Sequence, residues 1–342
     1  MKAIDINGTG TKGPHTTRRG VTGPARLLGT GLPGLVLAGM TAVVSGVAIF
    51  LNTSGVHAVR SPALYTTAKN LVAAVVLLAL ALAVGRRPAW LATPDSAHRS
   101  EPAAQKTARA KAADAASAVY IGVVGGGVAF VLFFTGLAHT TAQPAAFLHD
   151  TLVVWVAVLA LPLLGERLSP WNAAAIVVLV AGQVAVTGGI GHLVAGYGQA
   201  LVLLATVLWS VETVVMKRLL RSGTAPPALA VLRMGVGVVV LLVYLATKGQ
   251  LHALVHLDRG QIGWVLLTGA LLAAYVTTWV LALARARAVD VTSVLVGSVV
   301  VTTLLDGAVH GKDLSGAVVG LVLVAAGVAA VVWRWPRPAV TG

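Results

Sequence analysis

The chain has 342 residues, of which 57% are hydrophobic and only 11% are charged, and its mean hydropathy is +0.87. A soluble protein has about 25% charged residues to cover its surface in water, so this composition excludes an ordinary soluble protein and favours a lipid environment. The net charge of +14 does not favour nucleic-acid binding, because the basic residues lie in short segments between apolar runs, and the absence of cysteine excludes disulfides and thiolate chemistry.

Residues 1–30 are predicted to form a disordered cytoplasmic tail. They are rich in glycine and threonine and contain five Lys or Arg residues against a single acid, Asp5. The pair Arg18-Arg19 also fits a twin-arginine export signal. However, the apolar run that follows is as long as a spanning helix and has no clear cleavage site, which favours a tail that sets the topology.

Ten apolar runs follow the tail, each close to the ~20 residues that an α-helix needs to cross the hydrocarbon core. Each run is apolar on all sides and lacks the alternation of a membrane β-strand, so we expect an all-α integral membrane protein with ten transmembrane helices. The expected limits are 33–54, 62–84, 118–138, 143–164, 172–190, 197–218, 227–247, 262–284, 290–309 and 316–335. The long connection 85–116 is expected to be a cytoplasmic loop, either a solvated linker or a short helix on the inner leaflet.

The Lys and Arg residues are unevenly divided between the two sides of this topology. If the tail is cytoplasmic, 19 of the 25 Lys and Arg residues fall in inner segments. Only four fall in outer segments, namely Arg60, Lys248, Arg259 and Lys312. The positive-inside rule therefore predicts a multi-pass protein of the cell membrane (inner or plasma membrane), with both termini, including residues 337–342, in the cytoplasm.

An apolar run, the pattern Gly-x-x-Leu-Ser and a second apolar run occur twice, around Gly165–Ser169 and around Gly311–Ser315. The chain is therefore expected to contain two repeats of five helices, at 31–190 and at 191–336. Because five is odd, the two copies enter the membrane in opposite directions. Many secondary transporters are built from such inverted repeats, with the substrate near the midplane between the halves.

Several of these residues resemble a known family. The segment Phe133–Ala138, then Gly165–Leu168 after a helix, and Gly182 midway along the next helix resemble the EamA domain, and Trp209–Arg218 is similar to the opening of the family's second copy. This domain occurs in tandem in the ten-helix drug/metabolite transporter superfamily, whose members mostly export or exchange metabolites, amino acids or drugs. The resemblance covers about residues 33–335 and implies a secondary carrier of a small organic solute, not an enzyme.

Ionisable residues inside the predicted helices are the first candidates for a site, because a charge at the bilayer centre costs ~2.5–3.5 kcal/mol and normally faces a cavity or a partner. Glu212 and Arg233 lie at matched depths toward the inner side, and Lys69 and Asp150 at matched depths toward the outer side. This predicts two ion pairs, Glu212–Arg233 and Lys69–Asp150, that flank a substrate cavity. In the alternative interpretation the pairs only hold helices together.

A carboxylate in an apolar cavity suits a proton carrier, so Glu212 and then Asp150 are the candidates for proton exchange. Asp306 is assigned to a local pair with His310 one turn away. His149 beside Asp150 suggests a relay or a metal site, although neighbours on a helix diverge. Uncharged candidates for the cavity are Ser45, Asn52, Trp209, Tyr275 and Trp279. The aromatic residues also fit ordinary helix packing, and no cluster of ligands predicts a metal or a cofactor.

The sequence thus predicts a transporter that exports or exchanges a small organic metabolite or drug-like solute by alternating access. No ATP-binding motif is present, so coupling to protons or to exchange is expected. The expected partners are the solute, the lipid bilayer and protons, a homodimer is allowed, and no nucleic acid is expected. The alternatives are a non-transporting membrane scaffold or receptor and a lipid-handling membrane protein.

Overall fold

The computed structural model describes residues 34–84, 108–189 and 196–333, and all regular structure within these ranges is helical. Nine helices in the described ranges are long and apolar enough to cross a membrane. A tenth apolar helix, Pro170–Val186, has 17 residues, which is at the short limit for a spanning helix. The predicted tail, most of the predicted loop at 85–116 and the C-terminal residues lie outside the described ranges.

The helices are numbered α1 to α10 in chain order, and each matches one of the ten predicted runs. Their bounds are as follows: α1 Gly34–Val59, α2 Pro62–Val84, α3 Ala108–Val119 continued by Tyr120–Val128 and Ala129–Leu137, α4 Ala142–Asp150 and Leu152–Leu164, α5 Pro170–Val186, α6 Tyr197–Arg221, α7 Pro226–Thr247, α8 Arg259–Arg285, α9 Ala288–Leu295 and Ser298–His310, and α10 Val318–Trp333.

The start of α3 differs from the prediction. The helix begins at Ala108, so the last part of the connection predicted as a loop at 85–116 is helical and runs directly into the third span. This segment is rich in alanine with interspersed Lys and Arg, which are among the strongest helix formers, so helix propensity extends the spanning helix beyond its apolar part.

The repeated Gly-x-x-Leu-Ser pattern marks a helix end in both halves. Gly165 ends α4 and Gly311 ends α9, both in the left-handed conformation, with φ of 65° and 64°. Glycine adopts this conformation without steric cost and commonly ends helices in this way. In the first copy, the Ser169 side chain then accepts a hydrogen bond from the Asn172 N–H and starts α5.

Three helices depart from regular α geometry. Within α3, Tyr120–Val128 is π-helical. The helices α4 and α9 are interrupted near their middles, α4 at Thr151 and α9 at Val296 and Gly297, where backbone bonds such as Val154 N–H to Thr151 O tighten the turn. Interruptions and π-turns inside spanning helices frequently lie at functional sites.

The helices of the two halves pack in matching pairs. In the first half α1 packs on α8 and α9, and in the second half α6 packs on α3 and α4, which is the same pairing with the halves exchanged. Likewise, α2 packs on α8, and its equivalent in the second half, α7, packs on α3. Two further contacts join equivalent helices of the two halves, α2 with α7 and α5 with α10. Each half therefore completes the packing of the other, and neither is an independent bundle.

The surface of the bundle is strongly apolar. Large hydrophobic side chains are turned outward on many helices, for example Leu82, Val177 and Val319, which are 69%, 67% and 67% exposed. In water such a surface would cause aggregation, whereas in a bilayer it meets acyl chains. The described residues therefore form a multi-pass membrane protein.

Candidate functional site

A cavity of about 70 Å³ lies inside the bundle, between α1 to α4 of the first half and α6 to α8 of the second. It has room for roughly five water molecules. Eight of the nine predicted site residues line it, namely Ser45, Asn52, Lys69, Trp209, Glu212, Arg233, Tyr275 and Trp279. Helices far apart in the chain thus bring the buried charged residues to one place, although their roles stay predictions.

An ion pair joins α6 to α7 at the wall of this cavity. The Arg233 Nε donates to Glu212 Oε1 at 2.6 Å, and its Nη2 donates to Glu212 Oε2 at 3.2 Å. The two residues are 3% and 1% exposed, so both charges are removed from solvent. The predicted pair is therefore present, in the two-pronged geometry that makes Arg–carboxylate contacts strong.

The π-helical part of α3 supplies a contact to this pair that sequence reasoning missed. The Gly125 carbonyl accepts a hydrogen bond from Trp209 Nε1 at 2.9 Å and a longer one from Arg233 Nη2 at 3.4 Å. A Cβ atom at Gly125 would meet the carboxylate of Glu212, so only glycine leaves space for the pair. The sequence signal is the run Gly125–Gly127, which alone indicates only close helix packing.

Lys69 is 2% exposed and has no acidic partner within the part of the chain that the structure describes. Its Nζ donates to Asn52 Oδ1 at 3.0 Å and lies 3.9 Å from the centre of the Phe134 ring. The same Asn52 oxygen accepts a hydrogen bond from the Tyr65 hydroxyl at 2.7 Å. The predicted pair between Lys69 and Asp150 is therefore wrong, because equal depth in two helices does not fix the direction in which each side chain points around its helix axis.

Asp150 is the one predicted site residue that does not line the cavity. It is 2% exposed and accepts hydrogen bonds from Ser298 Oγ at 3.1 Å on each carboxylate oxygen. Asp150 precedes the interruption of α4 and Ser298 follows the interruption of α9, so this contact joins the two broken helices. His149, 3.5 Å from Asp150, lies between it and the cavity, against the rings of Phe133 and Trp209.

Aromatic rings cover much of the cavity wall. On α3 the rings come from Phe130, Phe133 and Phe134, which share one helix face, and on α8 Tyr275 stacks on Trp279 with 6.2 Å between ring centres. The Arg233 guanidinium lies 5.2 Å from the Phe130 ring and 5.4 Å from the Trp279 ring. Sequence reasoning included the α8 aromatics but not the three phenylalanines, whose spacing of three and four residues was the available signal.

At the end of the bundle that contains Arg221, polar contacts join different helices. Glu166, 5% exposed, accepts a hydrogen bond from Arg221 Nη2 at 2.6 Å and from the first backbone N–H groups of α9, Ala288 at 3.2 Å and Val289 at 3.4 Å. Thus the Glu of the Gly-Glu-Arg-Leu motif connects the α4–α5 turn, α6 and α9.

Lys217 of α6 adds a second connection at this end. It donates to the carbonyl groups of Leu283 and Ala286 at 2.6 and 2.7 Å, at the end of α8. Nearby, two hydrogen bonds of Arg287 with Asp290, both 2.7 Å, raise the pKa of Arg287 above its ordinary value. The helix ends around Arg221 are therefore held together by charged side chains.

The opposite end of the bundle, which contains His310, is more open. Asp306 accepts hydrogen bonds from His310 at 2.7 Å and from Lys312 at 2.6 Å, so the predicted local pair is present and Lys312 joins it. This cluster lies between clefts of about 250 and 600 Å³. The larger cleft is bounded by α1 residues from Phe50 to His57 and by α9. All three residues come from α9 and the turn after it, so these contacts do not close the end across helices.

Comparisons with known proteins agree with this architecture. A model of the EamA-like transporter family matches residues 32–188 and again residues 196–333. A solved structure described only as "Crystal structure of protein" is similar with a TM-score of 0.64 and 19% identity, over 89% of this chain and 99% of that chain, which shows a shared fold alone. No curated protein matches the chain. The two family matches together cover most of the 342 residues, and the chain belongs to the EamA-like transporter family, whose members are membrane transporters of the drug/metabolite transporter superfamily and not enzymes.

Proposed function

We propose that this protein is a secondary transporter that exports or exchanges a small organic metabolite or drug-like solute by alternating access. The observation that carries the proposal is the cavity between the two halves of the chain, which is lined by charged and aromatic side chains. Buried charges in a membrane are costly and are characteristic of solute and ion pathways. A purely structural role for Glu212 and Arg233 would not require them to border an internal cavity.

The two halves act as inverted repeats, with boundaries near 31–190 and 191–336. The exchanged packing pairs of α1, α2, α6 and α7 support a two-fold relation between the halves. Five helices in each half then place the repeats in opposite orientations, which is the arrangement that permits a central site to be exposed to either side.

The protein lies in the cell membrane with both termini in the cytoplasm, so the Arg221 end of the bundle faces the cytoplasm. In this conformation the contacts of Glu166 and Lys217 close the cytoplasmic end, whereas the clefts around Asp306 lie on the outer side. Transport requires these cytoplasmic contacts to separate as the outer clefts close. The helix interruptions at Thr151 and Gly297 allow such a change without unfolding a span.

Transport is coupled to protons at Glu212. A proton on this carboxylate removes its charge and releases Arg233, so protonation and a change in the cavity are linked through one ion pair. Asp150 is the second candidate, because its bond to Ser298 connects the two interrupted helices next to the cavity.

Counterflow in liposomes containing the full chain tests the proposal. Amino acids, nucleosides, polyamines and cationic drugs form the screen, and we expect uptake of at least one small organic solute, increased by a pH gradient. The Glu212→Gln variant should exchange solute but lose the effect of the gradient, whereas Asp258→Asn, at an exposed carboxylate that caps α8, should behave as the parent. Equal pH dependence of Glu212→Gln and the parent would exclude the proton role. Absence of flux for all solutes would favour a scaffold or receptor.

A further inference from the structure

We propose that Lys69 binds the carboxylate of a small organic acid, so that the solute of this cavity is a monoanion; this inference rests on the proposed transport function. Neither the family nor the similar solved structure assigns a solute to the cavity. The inference starts from a buried lysine for which the described residues supply no acidic partner.

The ammonium group of Lys69 has unused hydrogen-bonding capacity. It carries three N–H donors, and the bond to Asn52 Oδ1 at 3.0 Å uses one of them. That oxygen also accepts a hydrogen bond from the Tyr65 hydroxyl, so both of its lone pairs are used. A carboxylate would supply two acceptor oxygens to the remaining donors of Lys69 and to the neighbouring Asn52 amide.

The charges in the cavity favour an anion. The charge of Arg233 is balanced by Glu212, whose carboxylate it binds at 2.6 Å. Lys69, 2% exposed, has no acid within 4 Å among the described residues, so a protonated Lys69 beside an ionised Glu212 gives the cavity one positive charge without a counter-ion. Burial of an unpaired charge is costly, and a bound monoanion removes this cost. A dianion such as a phosphate monoester would instead leave an unbalanced negative charge.

The surroundings of Lys69 define the rest of the solute. Its Nζ lies over the face of Phe134, and Phe134 stacks on Phe130 with 6.2 Å between ring centres. The carboxylate would therefore lie beside a wall of aromatic rings that offers contact to an apolar or flat body. Cationic solutes are disfavoured, because their ammonium group would be repelled by a protonated Lys69.

Paired probes test this inference. Purified full-length protein is titrated with acetate, benzoate and phenylacetate, each paired with its neutral amide, and binding is followed by fluorescence, since Trp209 and Trp279 border the cavity. We expect each carboxylate that binds to do so roughly tenfold to a hundredfold more tightly than its amide, which is the usual effect of a hydrogen-bonded charge. Counterflow with the same compounds, and with benzylamine, gives an independent measurement.

Two variants and a control show whether Lys69 causes the preference. In Lys69→Met the preference for carboxylate over amide should disappear, and in Lys69→Arg, which keeps the charge, it should remain. Lys248→Met, at an exposed lysine after α7, should bind as the parent. Because amide binding is measured in every variant, a misfolded protein is recognised by loss of both ligands.

The outcomes separate this inference from the proposed function. Equal binding of amide and carboxylate by the parent, binding of no carboxylate at all, or a persistent carboxylate preference in Lys69→Met would overturn the assignment of Lys69. Flux of benzylamine or of the amides without flux of carboxylates would do the same while leaving the transport function in place. Carboxylate binding without flux of any solute would keep the Lys69 site and overturn transport.

Discussion

Replacing Arg233 by methionine leaves the Glu212 carboxylate buried without its ionic partner. The change removes two hydrogen bonds, of 2.6 and 3.2 Å, and the contacts of the guanidinium with Phe130 and Trp279. Breaking a buried ion pair in this way costs about 3–5 kcal/mol. The cost of leaving Glu212 unpaired cannot exceed the cost of protonating it, because a protonated carboxyl group carries no charge. For a carboxyl group with an ordinary pKa of about 4.3, protonation costs about 3.7 kcal/mol at pH 7 and about 1 kcal/mol at pH 5.

We therefore expect Arg233→Met to lose about 3–5 kcal/mol of stability at pH 7 and to regain about 3 kcal/mol of it at pH 5, since a protonated Glu212 no longer needs a cation. At about 2 °C per kcal/mol, the midpoint of thermal unfolding in detergent should fall by about 6–10 °C at pH 7. The double variant Glu212→Gln/Arg233→Met has no buried charge and should lose less, with little dependence on pH. A loss in Arg233→Met that is equal at both pH values, or no smaller in the double variant, would refute this reasoning.

Two further substitutions test other contacts. Gly125→Ala places a methyl group where the Glu212 carboxylate lies and should reduce counterflow by about tenfold or more. Gly263→Ala, on an open helix face, should leave counterflow unchanged. Equal effects of the two substitutions would show that the close approach of Gly125 to Glu212 is unimportant. Glu166→Gln removes the ionic contact with Arg221 and weakens the cap of α9. The midpoint of thermal unfolding should therefore fall by an amount equivalent to about 1–2 kcal/mol, a value kept small because the Arg221 side chain is 41% exposed and its charge is screened by solvent. An unchanged midpoint would contradict this expectation.

The sequence predicts the helices well because lipid imposes a simple constraint, that about 20 apolar residues are needed for each crossing. The predicted run 62–84 coincides with α2, and the run 227–247 begins one residue after Pro226, the first residue of α7. The constraint does not limit a helix that continues into the interface, and for this reason the start of α3 at Ala108 was missed. The π-helical part of Tyr120–Val128 was also missed, since it depends on close contact with α7.

The cavity was predictable in its charges but not in its connections. The high cost of a charge in lipid selects Lys69, Glu212 and Arg233 directly, and all three line the cavity. Counting residues gives the depth of a side chain but not its direction around the axis, so Glu212–Arg233 was predicted correctly and Lys69–Asp150 was not. The phenylalanines of α3 have no unusual cost in lipid, so only the tertiary structure distinguishes them from residues that face acyl chains.

The hydrogen bond between Asp150 and Ser298 joins two helix segments at the points where α4 and α9 are interrupted. From this point the Ser298–His310 segment, of 13 residues, extends about 20 Å at 1.5 Å per residue, and the nine residues of Ala142–Asp150 extend about 13 Å. A rotation of about 20° at these interruptions would displace the outer ends of the two segments by about 7 and 5 Å. A rearrangement of a single hydrogen bond in the middle of the protein would thus be amplified into an opening of several ångströms at the surface, where Asp306 separates the two clefts.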